Sequence, residues 1–303
     1  MRFNLMERLW RRTKTESRDF VELVLLPGMA AVLPWPVCFR LFKRVSRWSW
    51  LYASDSRAAL AQAKKYGRCS DPVTWLADRR LVTLLDHADH YLVRTRSVAW
   101  LHRHVDVQGQ WVSKGQAALL WTFHWGMGMW ALRHAREHGL HAPMVLAAPS
   151  GPDFVGRTVF GCYVRARMRS VALALGEPVI FVPGGMSEVR QAIVRQQQVI
   201  VVMDVPQDQV SMTRITSLLD VPVSVPAVLP RMAVEQGLPV TVFHMGVDRQ
   251  TGRRLLQIDP LGVHTDAGAL TDAAFGSLDR LLRTDPAAWH LWAQAERFFV
   301  ARD

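Results

Sequence analysis

The chain has 303 residues, half of them hydrophobic, so it can bury a sizeable core and is not intrinsically disordered; Cys38, Cys69 and Cys162 are too few and too scattered for a disulfide framework or a zinc knuckle, which fits a reducing compartment. The net charge of +11 is uneven: residues 1–170 carry 26 Lys and Arg against 12 Asp and Glu, while residues 171–303 carry 11 against 14. The basic half suits an anionic membrane surface or a phosphorylated substrate, or is a solvated arginine-rich surface; no zinc finger, basic heptad region or RNA-recognition signature speaks for nucleic acid.

Residues 1–19 are charged and polar and show no cleavable signal peptide. Phe20–Phe39 is an apolar stretch with one charge, long enough to span a bilayer but interrupted by Pro27, Gly28, Pro34 and Pro36. Arg40, Lys43, Arg44 and Arg47 follow at once, with Trp35, Trp48 and Trp50 nearby. Aromatic and basic residues around an interrupted apolar segment predict a helical segment lying in a membrane interface rather than crossing it. Residues 1–52 are therefore expected to form a membrane-associating helical segment, and residues 53–303 an α/β domain.

Beyond it, spacing predicts helices over Ser54–Gly67 and Val73–Thr95, a strand over Ala117–Phe123, a helix over Trp130–His138 and strands over Pro143–Ala148 and Pro178–Pro183. A helix over Ser187–Arg195, a strand over Val199–Met203, a helix over Val225–Gln236, strands over Val240–Val247 and Leu255–Pro260, and a helix over Asp272–Thr284 complete the pattern. Helices and strands in alternation imply a mainly parallel sheet covered by helices on both faces.

His124 stands where the apolar run 117–123 stops and Gly126 and Gly128 let the chain turn. In open α/β sheets ligands bind beyond the carboxyl ends of strands, so this ring is either a catalytic group facing a crevice or a structural histidine in a tight turn. Two other histidine patterns carry less. His134-Ala-Arg-Glu137-His138 matches an inverted zinc-peptidase pattern without flanking support, and Asp86-His-Ala-Asp-His90 reads as a polar helix surface. No nucleophile elbow, Walker loop or dinucleotide fingerprint is present.

The N-terminal apolar segment, the strand followed by His-aromatic-Gly, the strand ending at Asp204, the stretch LLDVPVSVPAVLPRMAVEQGLPV and the ending DPAAWHLWAQAERF resemble the lipid A biosynthesis acyltransferases, relatives of the glycerolipid acyltransferases, over nearly the whole chain. The resemblance implies an α/β fold on the cytoplasmic face of the bacterial inner membrane, peripheral or monotopic. It also implies transfer of an acyl group from an acyl-carrier-protein or coenzyme A thioester to a hydroxyl or amine of the acceptor, with no bound cofactor or metal. His124 would be the general base, with Trp125 and Gly126 beside the substrate. The basic run Arg157, Arg165, Arg167 and Arg169 matches the family's phosphate-binding region, although Arg165 and Arg169 share a helix face that excludes Arg167.

Two departures stand out. The family's carboxylate five residues after the histidine is Met129 here, and Ala293–Glu296 intervene before Arg297 in the closing segment. Three explanations are open: another carboxylate, Asp204 or Asp153, orients His124; the acceptor is an amine or thiol that needs less base assistance; or the chain is a catalytically silent homologue that binds an acyl chain or carrier protein.

Overall fold

The structure, a computed structural model, describes residues 2–148 and 156–299, with side chains from residue 6 onward. Among the described residues nine strands form: β1 (Val105–Gly109), β2 (Ala118–Thr122), β3 (Met144–Ala147), β4 (Ile180–Val182), β5 (Gln198–Val202), β6 (Thr213–Leu218), β7 (Val221–Pro226), β8 (Val240–Val247) and β9 (Arg254–Gly262). The helices are α1 (Arg2–Asp19), α2 (Leu26–Val32), α3 (Trp35–Val45), α4 (Ala53–Lys65), α5 (Pro72–Thr95), α6 (Val98–His104), α7 (Met129–Glu137), α8 (Thr158–Leu175), α9 (Met186–Val194), α10 (Val228–Glu235) and α11 (Ala267–Thr284).

Seven strands make one sheet in the order β1-β9-β8-β2-β5-β3-β4, flanked by helices. β8, β2, β5, β3 and β4 run parallel, whereas β9 returns antiparallel to β8 and carries β1 in parallel beside it. The protein is thus α/β with a mostly parallel sheet. Ala118, Leu119, Leu120 and Trp121 of β2 are fully buried, as a central strand covered on both faces requires, which explains why its sequence is a continuous apolar run rather than an alternating one.

Helix α5 is the organising helix. Pro72 occupies its first turn and Asp71 caps it by accepting from the Val73 and Thr74 N–H groups. It packs on α2, α3, α4, α7 and α8. Residues 86–90 overturn the expectation of a polar surface: Asp89 and His90 are buried, and Asp86 and His87 are largely covered. Their charges are matched by residues remote in sequence. Arg167 Nη2 donates to both Asp86 carboxylate oxygens at 2.7 and 2.8 Å, and Asp89 pairs with Arg254, whose guanidinium lies 4.0 Å from the centre of the Trp35 ring.

The N-terminal apolar stretch is broken as its prolines demand, into a π-helical turn (Phe20–Leu25) and helices α2 and α3. Leu26, Ala30, Trp35, Cys38, Phe39 and Phe42 join the common core, while Met6, Leu9, Trp10, Trp48 and Trp50 stay exposed. Among the described residues no helix is long and apolar enough to cross a membrane.

The helix expected over Val225–Gln236 begins later, as α10, because Val221–Pro226 is a strand. β6 and β7 form an antiparallel hairpin closed by Leu219 and Asp220, both at positive φ (55° and 62°). Alternating valines favour the ribbon; the outer edge of β7 bridges Phe298 and Phe299 only at Val223 and Ser224, between Pro222 and Pro226.

Candidate functional site

Strands β2 and β5 are neighbours in register, Thr122 opposite Val202, and each runs two residues further to a titratable group. His124 and Asp204 therefore meet at the carboxyl edge of the sheet's centre. The Asp204 carboxylate, 1% exposed, accepts from the His124 backbone N–H at 2.9 and 3.0 Å, from His124 Nδ1 at 3.1 Å and from Trp289 Nε1 at 2.8 Å. With Nδ1–H committed to Asp204, the neutral ring leaves Nε2 unprotonated, and Nε2 has no partner among the described residues. The His124 side chain is 44% exposed. Burial of the ring pulls the His124 pKa down, but the charge and hydrogen bonds of Asp204 more than reverse this, and the net shift is upward from 6.5.

The turn after His124 is fixed by backbone. Gly126 has φ +66°, and a Cβ there would lie 2.1 Å from the Met245 carbonyl oxygen, so only glycine fits. Its N–H donates to Ala288 O, and the Met127 N–H donates to Met245 O. Trp125 is buried, donates from Nε1 to Asp285 O and borders a hollow of about 330 Å³ on the β8–β9 side. Met129 opens α7 and is 2% exposed in the core, far from offering any polar group to the ring.

The segment 285–292 completes the site. Its His290 donates from the backbone to His124 O at 2.7 Å and from Nε2 to Gly126 O at 2.7 Å. Buried Arg79 of α5 holds that segment from below, donating to the carbonyls of Trp289 (2.6 Å) and His290 (3.0 Å) and pairing with Asp55 at 3.0 Å.

No protein-family model and no curated protein matches this chain.

His290 also lines a cleft of about 560 Å³ between α1, α4, α5 and α8, together with Arg79, His87, Arg157 and Phe160. His87 is kept neutral: burial, then the nearby Arg167, lowers its pKa to about 3. Tyr163 Oη lies 2.6 Å from His87 Nδ1 and accepts from Arg167 at 3.2 Å. The hydroxyl proton finds its acceptor at Nδ1, which leaves His87 Nε2 as an N–H donor.

The arginines singled out in the sequence separate. Arg157, at the start of α8, lines the cleft and forks onto Asp19 at 2.8 and 2.9 Å. Arg165 and Arg169 are exposed farther along α8, and Arg167 is spent on Asp86. Asp153 lies outside the described residues. Arg297 pairs with Asp208 at 2.6 Å. The His134–His138 pattern holds no metal geometry: His134 Nδ1 accepts from Trp111 Nε1 and His138 Nδ1 donates to His134 O, and no group of three or more metal-binding side chains occurs among the described residues.

His124 and Asp204 are recognisable in the sequence, whereas the roles of Trp289, His290, Arg79 and the Asp86–Arg167–Tyr163–His87 chain emerge only from the fold. The only available signal for Trp289 and His290 was the aromatic density of Trp289-His-Leu-Trp292. Nothing local marks Arg79 or Asp86, whose partners lie on other elements.

Proposed function

We propose that the protein is a thioester-dependent acyltransferase in which His124 is the general base and Asp204 orients it. The observation that carries the reading is the buried Asp204 carboxylate on Nδ1 of a half-exposed His124 side chain, an arrangement that in the neutral ring favours the proton on Nδ1 and leaves Nε2 as the base. An acceptor hydroxyl or amine gives its proton to Nε2 as it attacks the thioester carbonyl; the tetrahedral intermediate collapses, and the leaving thiolate takes the proton back from the imidazolium. Asp204 fixes the tautomer and stabilises the imidazolium formed in passing. In the family the sequence resembles, a carboxylate follows the histidine in the same chain turn; here the neighbouring strand provides it, which accounts for Met129.

The donor on this reading is an acyl-carrier-protein or coenzyme A thioester, and the acceptor is membrane-associated or carrier-bound. Exposed Arg165 and Arg169 suit an acidic carrier protein. Exposed Met6, Leu9 and Trp10 on α1, with Arg8, Arg11, Arg12 and Lys14 among them, support peripheral docking on an anionic inner-membrane face. The test is intact-mass detection of an acylated product when purified protein meets acyl-carrier protein or acyl-coenzyme A and a lipid acceptor pool. Transfer that falls by about 10² or more in His124→Ala supports the reading. Donor binding without thioester loss would make the chain a silent acyl- or carrier-binding homologue.

A further inference from the structure

The cleft of about 560 Å³ between α1, α4, α5 and α8 is balanced in charge, since among its described lining residues Arg18, Arg79 and Arg157 stand against Asp19, Glu22 and Asp55. Arg157 donates to both oxygens of buried Asp19 at 2.8 and 2.9 Å, and Arg79 pairs with Asp55 at 3.0 Å while donating to the carbonyls of Trp289 and His290. Arg18 lies 4.0 and 3.9 Å from Asp19 and Glu22. A charged guest would have to compete with partners already in place, so this lining favours an uncharged one.

Two rings set what that guest must offer. His290 donates from Nε2 to Gly126 O at 2.7 Å, and a carbonyl only accepts, so Nε2 carries the proton. Burial, followed by Arg79, lowers the ring's pKa from 6.5 and keeps it neutral, so Nδ1 holds a lone pair, and this nitrogen has no partner among the described residues. His87 is the complement: its Nδ1 faces the Tyr163 hydroxyl, and its Nε2–H has no partner among the described residues. Both residues line the cleft. A hydroxylated guest meets both demands, through one hydroxyl or two, because a hydroxyl donates to a lone pair and accepts from an N–H; a phosphate dianion brings acceptors alone and an ammonium donors alone. Helix α1 enters the cleft at Arg18 and Asp19, and its other end carries the exposed Met6, Leu9 and Trp10, which suits a guest with an apolar tail. The cleft also abuts the His124 turn, since the His290 N–H donates to His124 O.

We propose that the cleft holds the uncharged, hydroxyl-bearing headgroup of the acceptor lipid, with His290 Nδ1 and His87 Nε2–H selecting a hydroxyl over a phosphate or an amine. The acyltransferase reading enters only in making the guest an acceptor; binding does not depend on turnover. Sugar and glycerol headgroups share this chemistry.

The experiment is an NMR titration of the full chain with octyl glucoside, 1-octylglycerol, octyl phosphate and octylamine, which share an alkyl chain and differ in headgroup, followed through the ring C–H signals of His87 and His290. The two alcohols are expected to shift both rings saturably, and octyl phosphate and octylamine to bind at least about tenfold more weakly. The tighter of the two alcohols assigns a sugar or a glycerol headgroup. Equal or tighter binding of octyl phosphate or octylamine at these rings overturns the proposal, as does a titration in which no ligand moves them. His290→Gln keeps an N–H for Gly126 O but lacks the lone pair at Nδ1, and should weaken alcohol binding about tenfold; an unchanged affinity overturns the selecting role. Should that variant not fold, Ala58→Trp, at an exposed position of α4 that lines the cleft, should block it and abolish binding, and unchanged binding counts against the site. Binding in the cleft by a protein that transfers no acyl group from any thioester would refute the acyltransferase reading and leave this site standing, whereas acyl transfer that survives Ala58→Trp undiminished would do the reverse.

Discussion

Replacing Asp204 by Asn tests the dyad without needing a known substrate. The wild-type carboxylate accepts from three N–H groups, those of His124 N, His124 Nδ1 and Trp289 Nε1. An amide retains one acceptor oxygen and turns an NH₂ group toward one of those donors, so at least one contact becomes donor against donor. The imidazolium also loses its counter-charge, while burial, which by itself lowers the ring's pKa, remains. The His124 titration, followed by NMR of the ring C–H protons, is expected above 6.5 in wild type and below 6.5 in the Asn variant. The sign extends to stability. A raised folded-state pKa contributes stability that is fully present below the unfolded value of about 6.5 and is lost as pH rises through the folded value, so the variant should lose that contribution. For turnover, the base form is needed, so the rate should rise with pH and its midpoint should move down in Asp204→Asn while the plateau falls. Loss of the corresponding carboxylate in a serine-protease triad costs about 10⁴ in rate, about 5 kcal/mol, and a loss of about 10² to 10⁴ is expected here. A ring that still titrates above 6.5 in Asp204→Asn would refute the assignment of the shift, and an unaltered plateau would remove Asp204 from the chemistry.

Other outcomes follow from the same geometry. Trp289→Phe keeps the aromatic ring but removes the Nε1–H donor to Asp204, and should destabilise the fold by about 1.5 to 3 kcal/mol in denaturant titrations; no change would mean the carboxylate finds another donor. Gly126→Ala places a Cβ 2.1 Å from Met245 O at φ +66° and should cost about 3 kcal/mol or more, read as lost soluble yield or a lowered melting midpoint. His87, His90, His134 and His244 are held neutral by burial, at about 3, 4, 4 and 4. The unfolded chain therefore binds more protons below about 6.5, and stability should fall by up to about 1.4 kcal/mol per pH unit for each histidine as pH drops from 6.5 toward 4. A flat denaturation midpoint across that range would mean that these rings are solvated.

Much of the sheet was legible because its strands are short apolar runs ended by turn residues, and Val240–Val247 was read with its bounds as observed. His124 and Asp204 were visible as polar groups just past such runs. Their meeting was not, because it depends on β2 and β5 being neighbours in a particular register, which no local pattern encodes. Asp86 and Asp89 look like helix-surface charges until Arg167 and Arg254 arrive from distant elements to neutralise them. The β6–β7 hairpin has no counterpart in the sequence pattern, and the helix expected over Val225–Gln236 overlaps only its last two residues; Pro222 and Pro226 obscure the alternation of β7, and the positive-φ Leu219–Asp220 turn carries no glycine to announce it.

The central place of β2 also sets an order of events. Its two partners, β5 and β8, begin about 80 and about 120 residues later in the chain, and Trp289 and His290 come later still. A nascent chain therefore carries the run Ala117–Phe123 without either strand partner until β5 has been made, and with one edge open until β8 follows. Such a segment is sticky, being apolar, β-prone and uncharged. The same centrality that seats His124 firmly in the finished molecule makes its strand the part of the chain most dependent on chaperone protection during synthesis, and low temperature or slow expression should improve recovery of folded protein more than any change at the surface.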